Sequence, residues 1–219
     1  MLVLTWNLYH GRAVPPAGRE LLAEFAAGLA GWGWDVALLQ EVPPWWPPEL
    51  ARATGAQQRT ALTSRNLGLP LRRWLARHRP DLLKSNGGGA NAILVRGDAI
   101  AAHEVRRLRH WPERRVVHAV ALAGGGWVGN LHAQVHSEAR AQADTAVAAT
   151  AMRMWAGGGP FVLGGDFNVR APVAPGLLLA GGHDVDHVLA LGWTSAGPAE
   201  VLEHGGLSDH APVRVRLRG

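Results

Sequence analysis

One strand–helix–strand pattern in the C-terminal half constrains the fold more than any other feature of this sequence. Residues 127–135 and 161–163 are apolar runs of strand length, and residues 137–155 between them have the spacing of a helix. Two strands joined through a helix run parallel in one sheet, because the helix carries the chain back to the starting edge. Further strand-like runs flank this unit, so the sequence predicts an α/β protein with mixed sheets and flanking helices.

The helix at the centre of this unit carries signals at both ends. Ser137 can cap its N-terminus, Glu138 lies at the positive end of the helix dipole, and Gly157 can stop it. Further helices are predicted at residues 18–30 and 71–76. We expect the buried stripe of the central helix to consist of Ala139, Ala143, Val147, Ala151 and Met154.

Prolines and glycines predict where regular structure stops. Residues 42–48 contain four prolines, so we predict no helix or strand there. Gly164 and Gly165 are expected to end the strand at 161–163, because glycine turns tightly and lets a ligand approach closely. Residues 87–89 are all glycine and predict a flexible loop.

Short polar clusters lie at the ends of five strand-like runs. In an extended segment, side chains two apart point the same way, so Asp166 and Asn168 are expected to project together. A turn of this composition is by itself as often a plain turn, but the recurrence of such clusters favours a functional role. The clusters are Trp6-Asn7, Gln40-Glu41, Asn130 with His132, Asp166 with Asn168, and Ser208-Asp209-His210.

The motifs around these clusters resemble a known superfamily. In chain order they are TWNLYHG, LLQE, NLH, GGDFN, DVDHV and SDHAPV. Together they resemble the endonuclease/exonuclease/phosphatase superfamily, whose members include deoxyribonucleases, abasic-site endonucleases, inositol-polyphosphate phosphatases and sphingomyelinases. The resemblance extends from Asn7 to His210. It implies one catalytic domain over residues 1–219, folded as a four-layer α/β sandwich in which two mixed sheets pack face to face with helices outside.

The resemblance also implies a metal-dependent phosphoesterase. A phosphodiester resists water because its charge repels nucleophiles, and a divalent cation offsets that charge. Mg²⁺ or Mn²⁺ would be held by Glu41, with Asn7 and Asp209 as further ligands, directly or through water. Asp166 would orient and deprotonate the attacking water, and Asn168 would hold the water or a phosphate oxygen. Asn7 would thus belong to both the metal site and the catalytic group.

Two histidines are expected to face the phosphate. His210 would stabilise the charge that develops on the phosphate, held by the carboxylate of Asp186 on its other ring nitrogen. His132 would donate to the phosphate or protonate the leaving group, with a structural role in the core as the alternative. His187 is expected to point away from the site, because neighbours on a strand alternate.

Two further residues are candidates for binding the substrate phosphate. Arg115 resembles an arginine that opens a strand and faces the phosphate, with Arg114 as the alternative. Asn91 resembles an asparagine that leads another strand of the superfamily. Tyr9 stands where some members carry an acidic residue, which argues against a second metal ion.

The charge balance is basic, and a coding bias towards arginine and alanine is favoured over the steering of nucleic acid as its explanation. The chain has 22 Lys+Arg against 17 Asp+Glu, and Lys84 is the only lysine. Because arginine binds phosphate bidentately, a phosphodiester in nucleic acid is the favoured substrate, although a coding bias towards arginine would give the same composition. Trp45 and Trp46 either cap the core or form a rim that stacks on bases. The alternatives are a phosphomonoesterase, a lipid phosphodiesterase, or a phosphate-binding module without catalysis.

The sequence also excludes some classes of protein. Without cysteine, the chain has neither a disulfide scaffold nor a zinc–thiolate site. It shows no signal-peptide pattern and no long apolar run, so we expect a cytoplasmic protein that does not insert into a membrane. Nothing in the sequence indicates an obligate protein partner, and we expect a monomer.

Overall fold

The computed structural model describes residues 1–63, 66, 68–78, 89–111 and 113–219, so positions 87 and 88 of the predicted glycine loop lie outside the described residues. The strands are β1 (Leu2–Asn7), β2 (Val36–Val42), β3 (Gln57–Thr63), β4 (Gly89–Val95), β5 (Ile100–Arg109), β6 (Arg115–Leu122), β7 (Trp127–His132), β8 (Phe161–Asp166), β9 (Leu178–His183), β10 (Asp186–Leu191), β11 (Thr194–Ser195), β12 (Glu200–Val201) and β13 (Val213–Arg218). The helices are α1 (Leu22–Gly31), α2 (Pro47–Thr54), α3 (Leu69–His78) and α4 (Glu138–Ala156). No helix among the described residues is long and apolar enough to cross a membrane.

The described strands form two mixed sheets. The first has the order β11-β13-β1-β2-β4-β3, with β12 also paired to β13, and the second has the order β5-β6-β7-β8-β10-β9. Strands β1 and β2 run parallel, as do β7 and β8, whereas the other paired neighbours in the described part of the chain are antiparallel. The parallel β7–β8 pair, joined through α4, confirms the predicted strand–helix–strand unit.

Three clusters of buried apolar side chains define the layers. One lies between the sheets and includes Leu38 of β2 and Val162 of β8. A second lies between the first sheet and helices α1 and α2 and includes Phe25 and Leu50. The third lies under α4 and includes Met152. Full burial of one such side chain contributes about 1.5–3 kcal/mol. The order helix, sheet, sheet, helix confirms the predicted four-layer α/β sandwich.

Helix α4 is capped as predicted but buries a different face. Ser137 Oγ accepts a hydrogen bond from the first turn, and Gly157 ends the helix with φ 56°. Ala151 is buried, but the other four residues of the predicted stripe are exposed, so that prediction is wrong. Gly129 of β7 shows how closely the helix approaches the sheet, because an added Cβ there would lie 2.5 Å from Met152 Sδ. The buried face consists of Ala141, Asp144, Thr145, Ala148, Ala149, Ala151 and Met152.

The prediction that prolines exclude regular structure from residues 42–48 is also wrong. Strand β2 runs to Val42, and α2 begins at Pro47. Proline is tolerated in the first turn of a helix because its missing N–H would have no partner there. Trp46 precedes the helix, is 2 % exposed and packs on Phe25 with ring centroids 5.4 Å apart. Trp46 is therefore a core residue.

The two glycines before Asp166 do not end their strand, contrary to expectation. Strand β8 continues through Gly164 and Gly165 to Asp166. Gly165 has φ 140°, and a Cβ added there would lie 1.9 Å from the carbonyl oxygen of Leu131 on β7. The glycine thus permits the close approach of β7 and β8 that carries Asp166 to the strand end.

A buried polar contact joins the two sheets near the ends of β2 and β7. Gln40 Nε2 donates to Asn130 Oδ1 at 2.8 Å, and Asn130 Nδ2 donates to the carbonyl oxygen of Leu39 at 2.9 Å. Both side chains are fully buried, where hydrogen bonds are electrostatically stronger than in water. Gln40 precedes Glu41, and Asn130 lies two residues before His132, so this contact fixes the two strand ends relative to each other.

Candidate active site

The ends of four strands meet at a cavity of about 310 Å³. Asn7 ends β1, His132 ends β7 and Asp166 ends β8, while Glu41 lies next to the end of β2. The cavity is lined by Asn7, Tyr9, His10, Arg12, Glu41, Thr63, Glu113, Arg115, His132, Val135, His136, Asp166, Asn168, Asp209 and His210. The structure therefore brings most of the predicted site residues together.

Asp166 is 1 % exposed and is held by two hydrogen bonds. Its Oδ2 accepts from Asn7 Nδ2 at 3.0 Å, and its Oδ1 accepts from the backbone N–H of Asn168 at 2.9 Å. Burial raises the pKa of the Asp166 carboxyl, against the opposing effects of His210 and these hydrogen bonds. A carboxylate with a raised pKa is a stronger base than a solvated one.

Asn168 reaches the cavity through a turn and not through an extended segment. Its φ is 51°, and its Nδ2 donates to the carbonyl oxygen of Ala133 at 3.0 Å. Asn168 therefore does not lie on the extended segment predicted from the sequence, although Asn168 and Asp166 line the same cavity. The hydrogen bond from the Asn168 backbone to the Asp166 side chain is what closes this turn.

Asp186 and His210 are in direct contact across 24 positions of sequence. Asp186 opens β10 opposite Asp166 on β8, and its Oδ2 lies 2.7 Å from Nδ1 of His210. Burial lowers the pKa of the His210 imidazole, but the hydrogen bond and charge of Asp186 raise it to about 9. His210 Nε2 lies 3.9 Å from Asp166 Oδ2. At neutral pH the ring is charged and presents its second N–H towards the cavity.

His132 lies between two carboxylates and is neutral. Its Nε2 is 3.6 Å from Asp166 Oδ2 and 3.8 Å from Glu41 Oε1. The parallel register of β7 and β8 places it directly opposite Asp166. Burial, together with the charge of Arg115, lowers the pKa of His132 well below its usual value.

Glu41 is paired with His10, which is not among the site residues predicted from the sequence. His10 Nε2 lies 2.9 Å from Glu41 Oε2. Burial raises the pKa of Glu41, but the hydrogen bond and charge of His10 outweigh it and lower the pKa to about 2. The carboxylate is therefore ionised at neutral pH. The sequence signal for this contact is the short segment His10-Gly11, which favours a tight turn directly after Asn7.

The two predicted phosphate-binding residues are placed differently. Arg115 is 5 % exposed, lines the cavity and has its Nη2 2.6 Å from Glu113 Oε2, whereas Arg114 is exposed. Asn91 is fully buried in β4 opposite Ala61 and is not among the described residues that line the cavity. The geometry thus favours Arg115 over Arg114, and it lends no support to a phosphate contact of Asn91.

The acidic residues of the cavity offer ligands for a divalent cation. Three oxygen-bearing side chains line the same cavity: the ionised Glu41, the Asn7 amide and the exposed Asp209. Such oxygen donors suit Mg²⁺ and Mn²⁺. Asn7 Oδ1 accepts one hydrogen bond, from the Tyr9 backbone at 2.9 Å, and a carbonyl oxygen has a second lone pair for a cation. This donor set therefore fits a divalent cation.

A second group of potential ligands is already engaged in hydrogen bonds. One ligand atom each from Asp166, Asp186 and His210 lies within 4.8 Å of the others. However, His210 is bonded to Asp186, and both oxygens of Asp166 accept hydrogen bonds. The charged His210 ring has no lone pair for a cation, so the candidate metal site is the one around Glu41.

A second cavity, of about 480 Å³, lies beside Trp45. It is lined by Pro44, Trp45, Leu69, Pro70, Arg73, Trp74 and His78. Trp45 is half-buried and packs against the core, and Trp74 is 55 % exposed. Of the two tryptophans after Glu41, Trp45 is thus the one that borders an accessible groove.

Comparisons with known proteins agree with this architecture. The sequence profile of the Endonuclease/Exonuclease/phosphatase family matches residues 4–210. The fold and the profile match together indicate a class of hydrolases that act on phosphoesters. Members of this class generally depend on a divalent metal. The chain belongs to the Endonuclease/Exonuclease/phosphatase family. No curated protein sequence matches it.

Solved structures share the fold at low sequence identity. One is an endonuclease/exonuclease/phosphatase from Beutenbergia cavernae DSM 12333, with TM-score 0.74 and 18% identity over 100% of this chain and 71% of that chain. The mannosyl-6-phosphatase Bt3783 of Bacteroides thetaiotaomicron VPI-5482 has TM-score 0.74 and 16% identity over 100% of both chains. The human Nocturnin catalytic domain with bound sulfate anion has TM-score 0.71 and 17% identity over 100% of this chain and 93% of that chain. At sequence identities this low, the similarity shows a shared fold and nothing more.

Proposed function

We propose that this protein is a divalent-metal-dependent hydrolase of phosphodiesters in nucleic acid. One observation carries the proposal: Asp166 Oδ2 has two imidazole nitrogens within 4 Å, His132 Nε2 at 3.6 Å and His210 Nε2 at 3.9 Å, in a cavity that Glu41 also lines. A base, two hydrogen-bond donors and a metal-binding carboxylate are the groups that hydrolysis of a phosphate ester needs.

In this proposal Asp166 orients and deprotonates the attacking water. Its two hydrogen bonds, from Asn7 and from the backbone of Asn168, fix the direction of the carboxylate. Its burial raises the pKa of the carboxyl, which makes the carboxylate a stronger base. The Asn168 side chain holds the water or a phosphate oxygen.

His210 stabilises the negative charge that develops on the phosphate. Because Nδ1 is bound to Asp186, the charged ring presents Nε2–H to the substrate. Burial lowers the pKa of His132 and keeps the ring neutral, so of its two predicted roles we propose hydrogen-bond donation over proton transfer. Arg115, held by Glu113, supplies a fixed positive charge for a phosphate oxygen.

Glu41 is the main ligand of the proposed cation, with Asn7 and Asp209 completing the site directly or through water. When bound, Mg²⁺ or Mn²⁺ neutralises phosphate oxygens and stabilises the leaving alkoxide. Glu41 is suited to this role because its pKa, lowered to about 2, keeps it ionised.

Nucleic acid is proposed as the substrate because of the net charge of +5 and the groove beside Trp45. Trp74 and Arg73 line that groove together with Trp45, and aromatic and guanidinium groups stack on bases. A phosphomonoester is the second candidate, because the burial of Trp46 removes half of the predicted aromatic rim and the main cavity is small.

Turnover of a chromogenic phosphodiester and of the matching monoester, each with Mg²⁺, Mn²⁺ or chelator, tests the proposal. We expect metal-dependent cleavage of the diester at least about tenfold faster than that of the monoester, a difference of about 1.4 kcal/mol in barrier. Faster cleavage of the monoester would support the second candidate. Full activity in excess chelator would contradict the metal mechanism for both.

Binding of single-stranded DNA tests the substrate class directly. We expect affinity to fall as salt rises, because phosphate binding releases counterions. Trp74→Ala should weaken binding by about 1–3 kcal/mol without unfolding the protein, because this side chain is largely exposed. Salt-independent binding, or no effect of Trp74→Ala, would favour a small-molecule phosphate.

A further inference from the structure

The proposed mechanism uses the contact between His10 and Glu41 only through its effect on the pKa of Glu41. His10 Nε2 lies 2.9 Å from Glu41 Oε2, and the His10 side chain is 15% exposed at the wall of the cavity. A histidine in this place has two chemical uses. It can donate a hydrogen bond to the carboxylate, or, with Nε2 unprotonated, it can bind the cation that the carboxylate holds.

The distance between the two atoms is that of a hydrogen bond, and it also fits the second use. Two neighbouring ligands of an octahedral ion, each about 2.1 Å from it, lie about 3.0 Å apart. His10 Nε2 and Glu41 Oε2 match that separation. They are therefore spaced as two ligands of one cation.

The surrounding chain holds the His10 ring towards Glu41. Tyr9 and His10 both have left-handed backbone conformations, with φ 47° and 55°, which are uncommon for residues other than glycine. The Tyr9 backbone N–H donates to Asn7 Oδ1 at 2.9 Å and supports this turn. On its other side the ring lies against Gly89, where an added Cβ would be 3.5 Å from His10 Cε1. The turn thus fixes the backbone that carries the ring, and Gly89 lies against the ring itself.

We propose that His10 is a nitrogen ligand of the cation bound by Glu41, and that it shifts the selectivity of the site from Mg²⁺ towards Mn²⁺ and later first-row ions. Imidazole suits these transition metals, whereas Mg²⁺ takes oxygen ligands at near-ideal octahedral positions. His10 changes a set of oxygen ligands into a mixed nitrogen–oxygen set. This inference rests on the proposed function in one respect, namely that Glu41 holds the cation.

Metal binding measured without substrate tests the inference. Mn²⁺ affinity is read from the electron paramagnetic resonance of the free ion, and Mg²⁺ affinity from its competition with Mn²⁺. A pulsed measurement on the bound Mn²⁺ detects a coordinated ¹⁴N nucleus. His10→Asn is the main variant, because asparagine tolerates the left-handed backbone and brings no imidazole. His10→Gly is the second variant, and thermal melting of both checks the fold.

We expect both variants to lose ¹⁴N coupling and to bind Mn²⁺ at least about tenfold more weakly, with Mg²⁺ affinity changed by less than roughly threefold. His136→Ala is the matched control, because His136 is exposed and lines the same cavity, and it should leave both affinities unchanged. Equal weakening of Mn²⁺ and Mg²⁺, or no change in either, would overturn the role of His10 while leaving the proposed function intact. A wild-type protein that binds no divalent ion would overturn both.

Discussion

Two histidines in one cavity differ in protonation because they face different neighbours. The ring of His210 is bonded to Asp186, which raises its pKa to about 9. Burial and, after it, the charge of Arg115 lower the pKa of His132 well below the usual value. The sequence motifs predict both histidines at the site, but residue type alone carries no information on their charge. That information lies in burial and in the partner that each strand end supplies.

The Asp186–His210 pair predicts a pH dependence of activity. Because the folded-state pKa of His210 is raised to about 9, the ring is charged at neutral pH and activity should fall as pH rises through that value. Asp186→Asn removes the supporting charge, so the loss should occur at lower pH, with turnover reduced on the order of a hundredfold at neutral pH. Turnover across pH for wild type and variant, with folding checked by circular dichroism, measures both effects.

The companion variant is His210→Ala, which should cost at least as much turnover as Asp186→Asn. The double variant should be little worse than the poorer single one, since the two residues act as a unit. Multiplicative losses in the double variant would show that the two side chains act separately.

Adding a single methyl group at Gly165 should lower the stability of the fold strongly. In Gly165→Ala the new Cβ would meet the Leu131 carbonyl oxygen at 1.9 Å, in addition to a positive φ. We expect a loss of more than about 3 kcal/mol in the free energy of unfolding. Gly157→Ala is the control, because Gly157 also has a positive φ but nothing lies within 4 Å, and it should cost about 1 kcal/mol. Denaturant unfolding measures both, and equal losses would contradict the close approach of β7 and β8.

At the scale of elements, patterns along the chain predict where helices and strands lie better than which face they bury. Caps at Ser137 and Gly157 define α4 correctly, since capping is local chemistry. The predicted buried face of α4 is wrong because several of its faces are rich in alanine. Which of them packs on the sheet depends on the shape of β7 beneath it, including Gly129. The prolines of α2 and the glycines of β8 are predicted to end regular structure, and they do not. Their effect depends on the neighbouring strand or turn, which the local pattern does not show.

The observed buried face of α4 predicts effects of different size for two similar substitutions. Ala148→Leu places three more carbons in a fully buried position and should cost about 1–3 kcal/mol through overpacking. Val147→Leu, on the exposed face, should change stability by less than about 0.5 kcal/mol. Thermal or denaturant unfolding compares the two, and a larger loss at Val147 would favour the stripe expected from the sequence.

At the scale of the whole molecule, the site forms because two sheets present their strand ends at one place. Motif order predicts which residues gather there, and the Gln40–Asn130 contact between the sheets sets their spacing. The position of His10 and the burial of Asn91 could not be predicted in this way. Both depend on a turn and on a sheet interior whose geometry emerges only after the layers pack.

The central claim is that Asp166 acts as the base and Glu41 binds the metal, and one comparison of variants separates these roles. Metal affinity and diester turnover are measured on the same samples of Asp166→Asn and Glu41→Gln. Asp166→Asn should keep metal affinity within roughly threefold of wild type while losing at least about a hundredfold in turnover. Glu41→Gln should weaken metal binding at least about tenfold. An Asp166→Asn variant that still turns over at the wild-type rate, or that loses metal as completely as Glu41→Gln, would contradict the account.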